Sequence, residues 1–178
     1  NLSFATKDLM VSVNISGKHL SNTHLITDVK KALGEANLSP SSLKLEITES
    51  LLLENIEDII AKMTALKAVG VSFSLDDFGT GYSSLSLLRE LPIDILKIDK
   101  SFIRTIDGSA HDFTIAQTII GLGKNLGKTV IAEGVETVDH MRILRDHACY
   151  LQQGFYFSRP LPFAQLIGYF QKNEPAIA

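Results

Sequence analysis

Residues 71–84 read Val71-Ser72-Phe73-Ser74-Leu75-Asp76-Asp77-Phe78-Gly79-Thr80-Gly81-Tyr82-Ser83-Ser84. Val71, Phe73 and Leu75 alternate with Ser72, Ser74 and Asp76, which is the period-two signature of a strand with one apolar and one polar face. Acids then stand at the strand's end, and two glycines follow among hydroxyl residues. Such a loop permits unusual backbone angles and close approach to a ligand. It is not a Walker loop, because no Gly-Lys-Ser/Thr follows.

The same pattern recurs along the chain. Val11, Val13 and Ile15 alternate with Ser12, Asn14 and Ser16, and Leu43, Leu45 and Ile47 with Lys44, Glu46 and Thr48. Leu96 and Ile98 alternate with Lys97 and Asp99, and Glu133 stands just past Val130-Ile131-Ala132. Strands are expected at Met10–Ile15, Leu43–Thr48, Val71–Leu75, Ile95–Ile98, Thr129–Ala132 and Tyr150–Gln152. Between them helical spacing marks Leu25–Ala36, Ile56–Val69, Ile115–Leu126, Val138–Leu144 and Phe163–Phe170. Strict alternation of strand and helix means α/β with a parallel sheet.

Parallel strands covered on both sides are apolar on both faces, and these are not. A barrel whose interior turns polar at its C-terminal mouth fits, so the expected fold is a (β/α)8 TIM-type barrel. Such a barrel takes about 250 residues, roughly 31 per unit. Six strands in 178 residues therefore read as about six βα units, the last three-quarters of a barrel. The reading is of one domain over residues 1–178, beginning part-way through the fold.

Composition narrows the function. A chain of this size buries roughly 70 % of its unfolded surface, enough for a sizeable core. Seventeen basic against 20 acidic residues, net charge −3, leave no basic footprint for duplex nucleic acid. The lone Cys149 cannot form an intrachain disulfide and fits a reducing compartment, the cytoplasm. Cys149 itself reads as a buried apolar residue, and the five histidines, without metal-ligand spacing, as solvated surface. Phe155, Tyr156 and Phe157 read as packing at the last strand, and the apolar stripe Ile56–Leu66 as helix-to-barrel contact.

At the barrel mouth Asn14, Glu46, Asp76, Asp77, Asp99 and Glu133 converge, with Lys97 among them. That many carboxylates raise one another's pKa, and one lysine cannot compensate them. An all-oxygen donor set favours Mg²⁺ or Mn²⁺ over Zn²⁺, and adjacent Asp76 and Asp77 suit two ions. The ordinary alternative for any one strand-end acid is a cap on the next helix. Glu49 reads equally as a brace for a neighbouring loop or as a helix-start acid.

Six segments in order carry a resemblance. They are Val13-Asn14-Ile15-Ser16, Leu45-Glu46-Ile47-Thr48-Glu49-Ser50, Asp76 to Ser84, Leu96-Lys97-Ile98-Asp99, Ala132-Glu133-Gly134-Val135-Glu136-Thr137, and Gln153-Gly154 with Phe157-Ser158-Arg159-Pro160. The chain resembles the EAL domain, the cyclic di-GMP phosphodiesterase family. The resemblance implies a first metal held by Asn14, Glu46 and Asp76, and a second by Asp76, Asp77 and Glu133. It implies Lys97 orienting a water, Glu133 as general base, and Gln153 and Asp99 meeting substrate. Glu49 and Glu136 would brace the loop containing Gly79 and Gly81, which in the family also lies at a homodimer interface. The segment that names the family, with its Glu ligand and a nearby phosphate-binding Arg, lies upstream of Asn14 and outside this sequence, so the fragment alone is expected to be inactive. Members often follow GGDEF or sensor domains, which allows a membrane-tethered parent. The implied function is metal-dependent hydrolysis of cyclic di-GMP to linear pGpG. A non-hydrolysing cyclic di-GMP receptor is the alternative. A Schiff-base aldolase using Lys97 is disfavoured, because neighbouring anions raise a lysine pKa.

Overall fold

Alternating Leu, Ile, Val and Phe drive six short strands to pair, and in the computed structural model they pair side by side in chain order. β1 (Val11–Asn14), β2 (Leu43–Thr48), β3 (Ser72–Phe78), β4 (Ile95–Ile98), β5 (Thr129–Glu133) and β6 (Leu151–Gln153) form one sheet, parallel at every pairing. The structure describes residues 9–49, 51, 55–81 and 85–172. Sequential order without a reversal point is the winding of a barrel, not of a doubly wound sheet. The sheet curls as part of a TIM-type barrel, with β1 and β6 at its edges.

Among the described residues eight α-helices lie between and after the strands: α1 (Gly17–Leu20), α2 (Leu25–Ala36), α3 (Ile56–Val69), α4 (Leu85–Glu90), α5 (Lys100–Ile103), α6 (Ala110–Asn125), α7 (Val138–Asp146) and α8 (Phe163–Lys172). None of them is long and apolar enough to cross a membrane among the described residues. α2 and α3 match the helical spacing residue for residue, and α3 stops where Gly70 takes φ +108°. α6 starts five residues before the first apolar position of its stripe. Ser109 Oγ accepts the Asp112 N–H at 3.2 Å, so a polar first turn is capped into the helix. The short α1, α4 and α5 lack the length for periodicity to show.

The outer sheet face is the core. Leu45, Ile47, Phe73, Leu75, Leu96, Ile98 and Ala132 are buried against Ile59, Met63 and Leu66 of α3, Ile103 of α5, Ala116 and Ile119 of α6, and Leu144 of α7. Each such Leu or Ile contributes about 1.5–3 kcal/mol relative to exposure. α6 lies so close to β5 that a Cβ on Gly123 would stand 2.2 Å from Val130 Cγ2. The edges differ from expectation. Val11 and Val13 are 52 % and 43 % exposed, because α2 packs on α3 and leaves the outer face of β1 uncovered. Phe155, Tyr156 and Phe157 do not join a core either: they are 52 %, 41 % and 45 % exposed. They follow edge strand β6 in a turn, with the Arg159 guanidinium 4.8 Å from the Phe155 ring centre.

Candidate metal centre

Residues paired across a parallel sheet share a face, so the register states which side chains meet. Asn14 pairs with Glu46, Glu46 with Ser74, Thr48 with Asp76, Lys97 with Ile131, and Glu133 with Gln153. Asn14, Glu46, Asp76, Lys97, Glu133 and Gln153 therefore line one face, at or near the C-terminal strand ends.

Lys97 is its hub. The Lys97 ammonium lies 2.9 Å from Glu46 Oε2, 3.1 Å from Asp76 Oδ1 and 2.5 Å from Glu133 Oε1. Burial on its own lowers a lysine pKa. Here the hydrogen bonds to Glu133 and Glu46, and the charges of Glu133 and Asp76, outweigh it and hold Lys97 above the ordinary lysine range. A permanently charged lysine in this cage is a poor Schiff-base nucleophile.

Adjacent Asp76 and Asp77 would point to opposite faces of a regular strand. They do not, because the β3–β4 register shifts between Leu75 and Phe78 and Asp77 takes φ +55°. Aspartate is one of the few side chains that enters the left-handed region readily. This bulge turns Asp77 to the side of Asp76, and one oxygen each from Asp76, Asp77 and Glu133 lie within 4.8 Å of one another. Burial raises the Asp77 carboxyl, and the charges of Asp76 and Asp99 push it the same way. Burial also raises Glu133, against the pull of Lys97. Oxygen donors destabilised as anions, at this mutual distance, fit a hard divalent cation. Asp76, Asp77 and Glu133 could hold one, while Glu46 stands at Lys97.

Asn14 lies on the exposed edge strand β1, in register with Glu46. Asp99 is buried and caps α5, its Oδ1 accepting the Ser101 N–H at 2.9 Å, and it shares a hydrogen bond with Asp77. Burial works against its ionised form, but Ser101, Asp77 and the Lys100 amide hold it below the usual aspartate value. Glu49 Oε2 accepts the N–H groups of Gly79 at 3.3 Å and Gly81 at 3.1 Å. Gly79 has φ +99°, and a Cβ on Gly81 would stand 2.7 Å from Glu49 Cδ. Glu49 thus ties down the start of the loop after β3; Ser50, Tyr82, Ser83 and Ser84 lie outside the described residues. Beyond β5, the Glu136 carboxylate faces Arg104 Nε at 3.8 Å.

A cleft of about 230 Å³ opens beside the triad, lined by Glu133, Gly134, Glu136, Gln153, Lys100 and Arg104 among others. Lys100 and Arg104 were not singled out from the sequence. Their signal was a basic pair at i,i+4 directly after a strand-end acid, which places both on one side of a helix at the barrel mouth. Cys149 is buried as expected, its thiol pushed up to about 11 mainly by burial. His140 is buried, not solvated.

A family model described as the EAL domain matches residues 1–160. The chain belongs to the EAL domain family. Among EAL relatives, the cyclic di-GMP phosphodiesterase NbdA of Pseudomonas aeruginosa is 48% identical over 158 residues, 89% of this chain and 20% of that protein. The PaMucR phosphodiesterase, solved as a c-di-GMP complex, superposes with a TM-score of 0.85 at 39% identity, covering 88% of this chain and 64% of that one. The Klebsiella pneumoniae protein BlrP1, solved with manganese and cy-diGMP, gives a TM-score of 0.79 at 32% identity, over 85% of this chain and 39% of that one. The chain spans about a fifth to a quarter of the length of the first curated relatives it matches.

Proposed function

We propose that this EAL domain, in its full-length protein, hydrolyses cyclic di-GMP to linear pGpG with two divalent cations, Mg²⁺ or Mn²⁺. The observation that carries the reading is the β3 bulge, which brings Asp77 to the side of Asp76 and Glu133. A regular strand would send Asp77 to the opposite face, so its positive φ is accounted for by what it brings together. The family relatives named as phosphodiesterases, and the neighbour solved with manganese and the dinucleotide, support the same reading.

Bound cations supply charge neutralisation at the phosphate and an activated water. Asp76, Asp77 and Glu133 would hold them, with Glu46 and Asn14 on the neighbouring strands completing the oxygen set. Lys97 keeps Glu46, Asp76 and Glu133 converged. Glu133, whose carboxyl burial raises, is suited to take the proton of the attacking water at a carboxylate oxygen as the P–O bond breaks. Lys100 and Arg104 offer cationic partners for the second phosphate in the cleft, and Gln153 a hydrogen-bonding edge. A homodimer formed over the loop after β3 belongs to the same proposal.

Asp76→Asn in the full-length protein is the test, with nucleotide linearisation followed by chromatography and Mn²⁺ binding measured separately. An amide keeps the shape of the carboxylate and removes its charge. Loss of both turnover and Mn²⁺ binding is expected, and near-wild-type turnover would overturn the mechanism. A wild-type protein that binds cations and the dinucleotide without opening it would be a receptor.

A further inference from the structure

His140 is 4 % exposed and has no part in the metal centre. It is the third residue of α7, whose N-cap Thr137 accepts the His140 N–H at 3.1 Å through Oγ1. A capping box sets an acceptor, usually Glu or Gln, at that third position to reach back to the N-cap's own backbone N–H, and His140 reaches one residue further. Here His140 Nδ1 accepts the Glu136 N–H at 3.4 Å. An accepting Nδ1 leaves the ring proton on Nε2, and Nε2 faces Asp107 Oδ1 at 3.7 Å in the turn between α5 and α6. A glutamate in this place would satisfy the cap but set a buried anion against Asp107. An imidazole meets both neighbours.

We propose that His140 is a positioning residue that ties the loop leaving β5 to the α5–α6 turn and so holds Glu133 in place to bind a cation. This rests on the reading of Glu133 as a cation ligand. The loop is fixed on its other sides. Gly134, at φ +73°, lies against Lys100, where a Cβ would stand 2.6 Å from Lys100 Cβ. The Val135 N–H donates to the Gln153 carbonyl at 3.1 Å, and the Val135 carbonyl accepts the Tyr156 N–H at 2.9 Å. Gly154 permits this approach, since its Cβ would fall 2.1 Å from the Val135 oxygen. The next peptide, Glu136, is held by His140. Only Gly134 and Val135 separate it from Glu133, too few to absorb a shift of the loop.

The test compares wild type, His140→Leu and His140→Gln in the full-length protein, reading Mn²⁺ affinity from the electron paramagnetic resonance of free Mn²⁺ and exchange of the Glu136 amide. His140→Leu is expected to lose about 10- to 100-fold in Mn²⁺ affinity, the usual effect of removing a group that orients a ligand, and to exchange the Glu136 amide faster. His140→Gln, which restores an acceptor for Glu136 and a donor for Asp107, should recover both. Unchanged Mn²⁺ affinity in folded His140→Leu would overturn the proposal. If His140→Leu does not fold, Asp107→Ala decides, because that side chain is 45% exposed: lower Mn²⁺ affinity supports the tether and unchanged affinity refutes it. A wild type that binds no Mn²⁺ removes the metal-centre reading itself, whereas a Leu variant that alone keeps wild-type affinity removes only the role of His140.

Discussion

Replacing Lys97 by methionine keeps the apolar stem and deletes the charge, leaving Glu46, Asp76 and Glu133 facing one another with side chains 10%, 14% and 17% exposed. Removing one partner of a buried ion pair costs about 3–5 kcal/mol. A carboxylate has an escape, however, since it can take up a proton. Each pH unit above a carboxyl's ordinary value makes that proton cost about 1.36 kcal/mol. From the ordinary value of 4.5 for Glu133, the cost at pH 7 is about 3.4 kcal/mol and at pH 5 about 0.7 kcal/mol. In the variant the folded-state carboxyl value is raised. The stability deficit is therefore small below the unfolded value and grows as pH rises toward the raised one. Thermal unfolding in chelator should show a loss of about 7–14 °C at pH 7, at about 2–4 °C per kcal/mol for a domain of this size. The loss should shrink to a few degrees at pH 5, and Mn²⁺ should recover part of it at pH 7 by binding only the folded state. An equal loss at both pH values would refute the reasoning, because it would mean that Lys97 contributes packing and not charge.

Gly81→Ala forces a Cβ to within 2.7 Å of Glu49 Cδ, so it should displace Glu49 from the loop amides and weaken Mn²⁺ binding about 10-fold. Glu49→Ala should do the same, and the double variant should be no worse than either, since both break one contact; additive losses measured by titration would argue against a shared cause. Mn²⁺ affinity should keep rising with pH above the ordinary carboxylate range, because protons compete for Asp77 and Glu133, whose carboxyls are raised. An affinity already flat from pH 5 upward would contradict this.

The strands were legible because their apolar residues alternate, and alternation survives any tertiary setting in which one face is polar. Barrel winding was legible from the same faces: Glu46, Asp76, Lys97 and Glu133 mark one side of four neighbouring strands. Legibility ended at the edges. Val11, Val13 and the Phe155–Phe157 run are apolar in sequence, yet exposure is decided by which neighbours exist, and periodicity carries no information on that. His140 was hidden for a related reason. A lone histidine on a polar helix start has no pattern, although Thr137 three positions before it was a readable cap signal.

The site divides in the same way. Alternation correctly assigned Glu46, Asp76, Lys97 and Glu133 to one face, but the same rule applied strictly would have sent Asp77 to the other. Asp77 reaches the triad because a register shift inserts one residue, and a shift is a property of two strands at once. The local clue was present: two aspartates, a residue type that tolerates positive φ, ahead of Phe78 and Gly79 at the end of a strand. Asp99 shows the converse. It stands at an equivalent strand end on β4, and its chain continues directly into α5, so its carboxylate caps the helix and bonds Asp77 in place of joining the triad. Three acids near the ends of β3 and β4 are thus separated by backbone alone. Asp76 faces Lys97, Asp77 is turned in by the bulge, and Asp99 is held by the first turn of α5 while it braces Asp77 from behind.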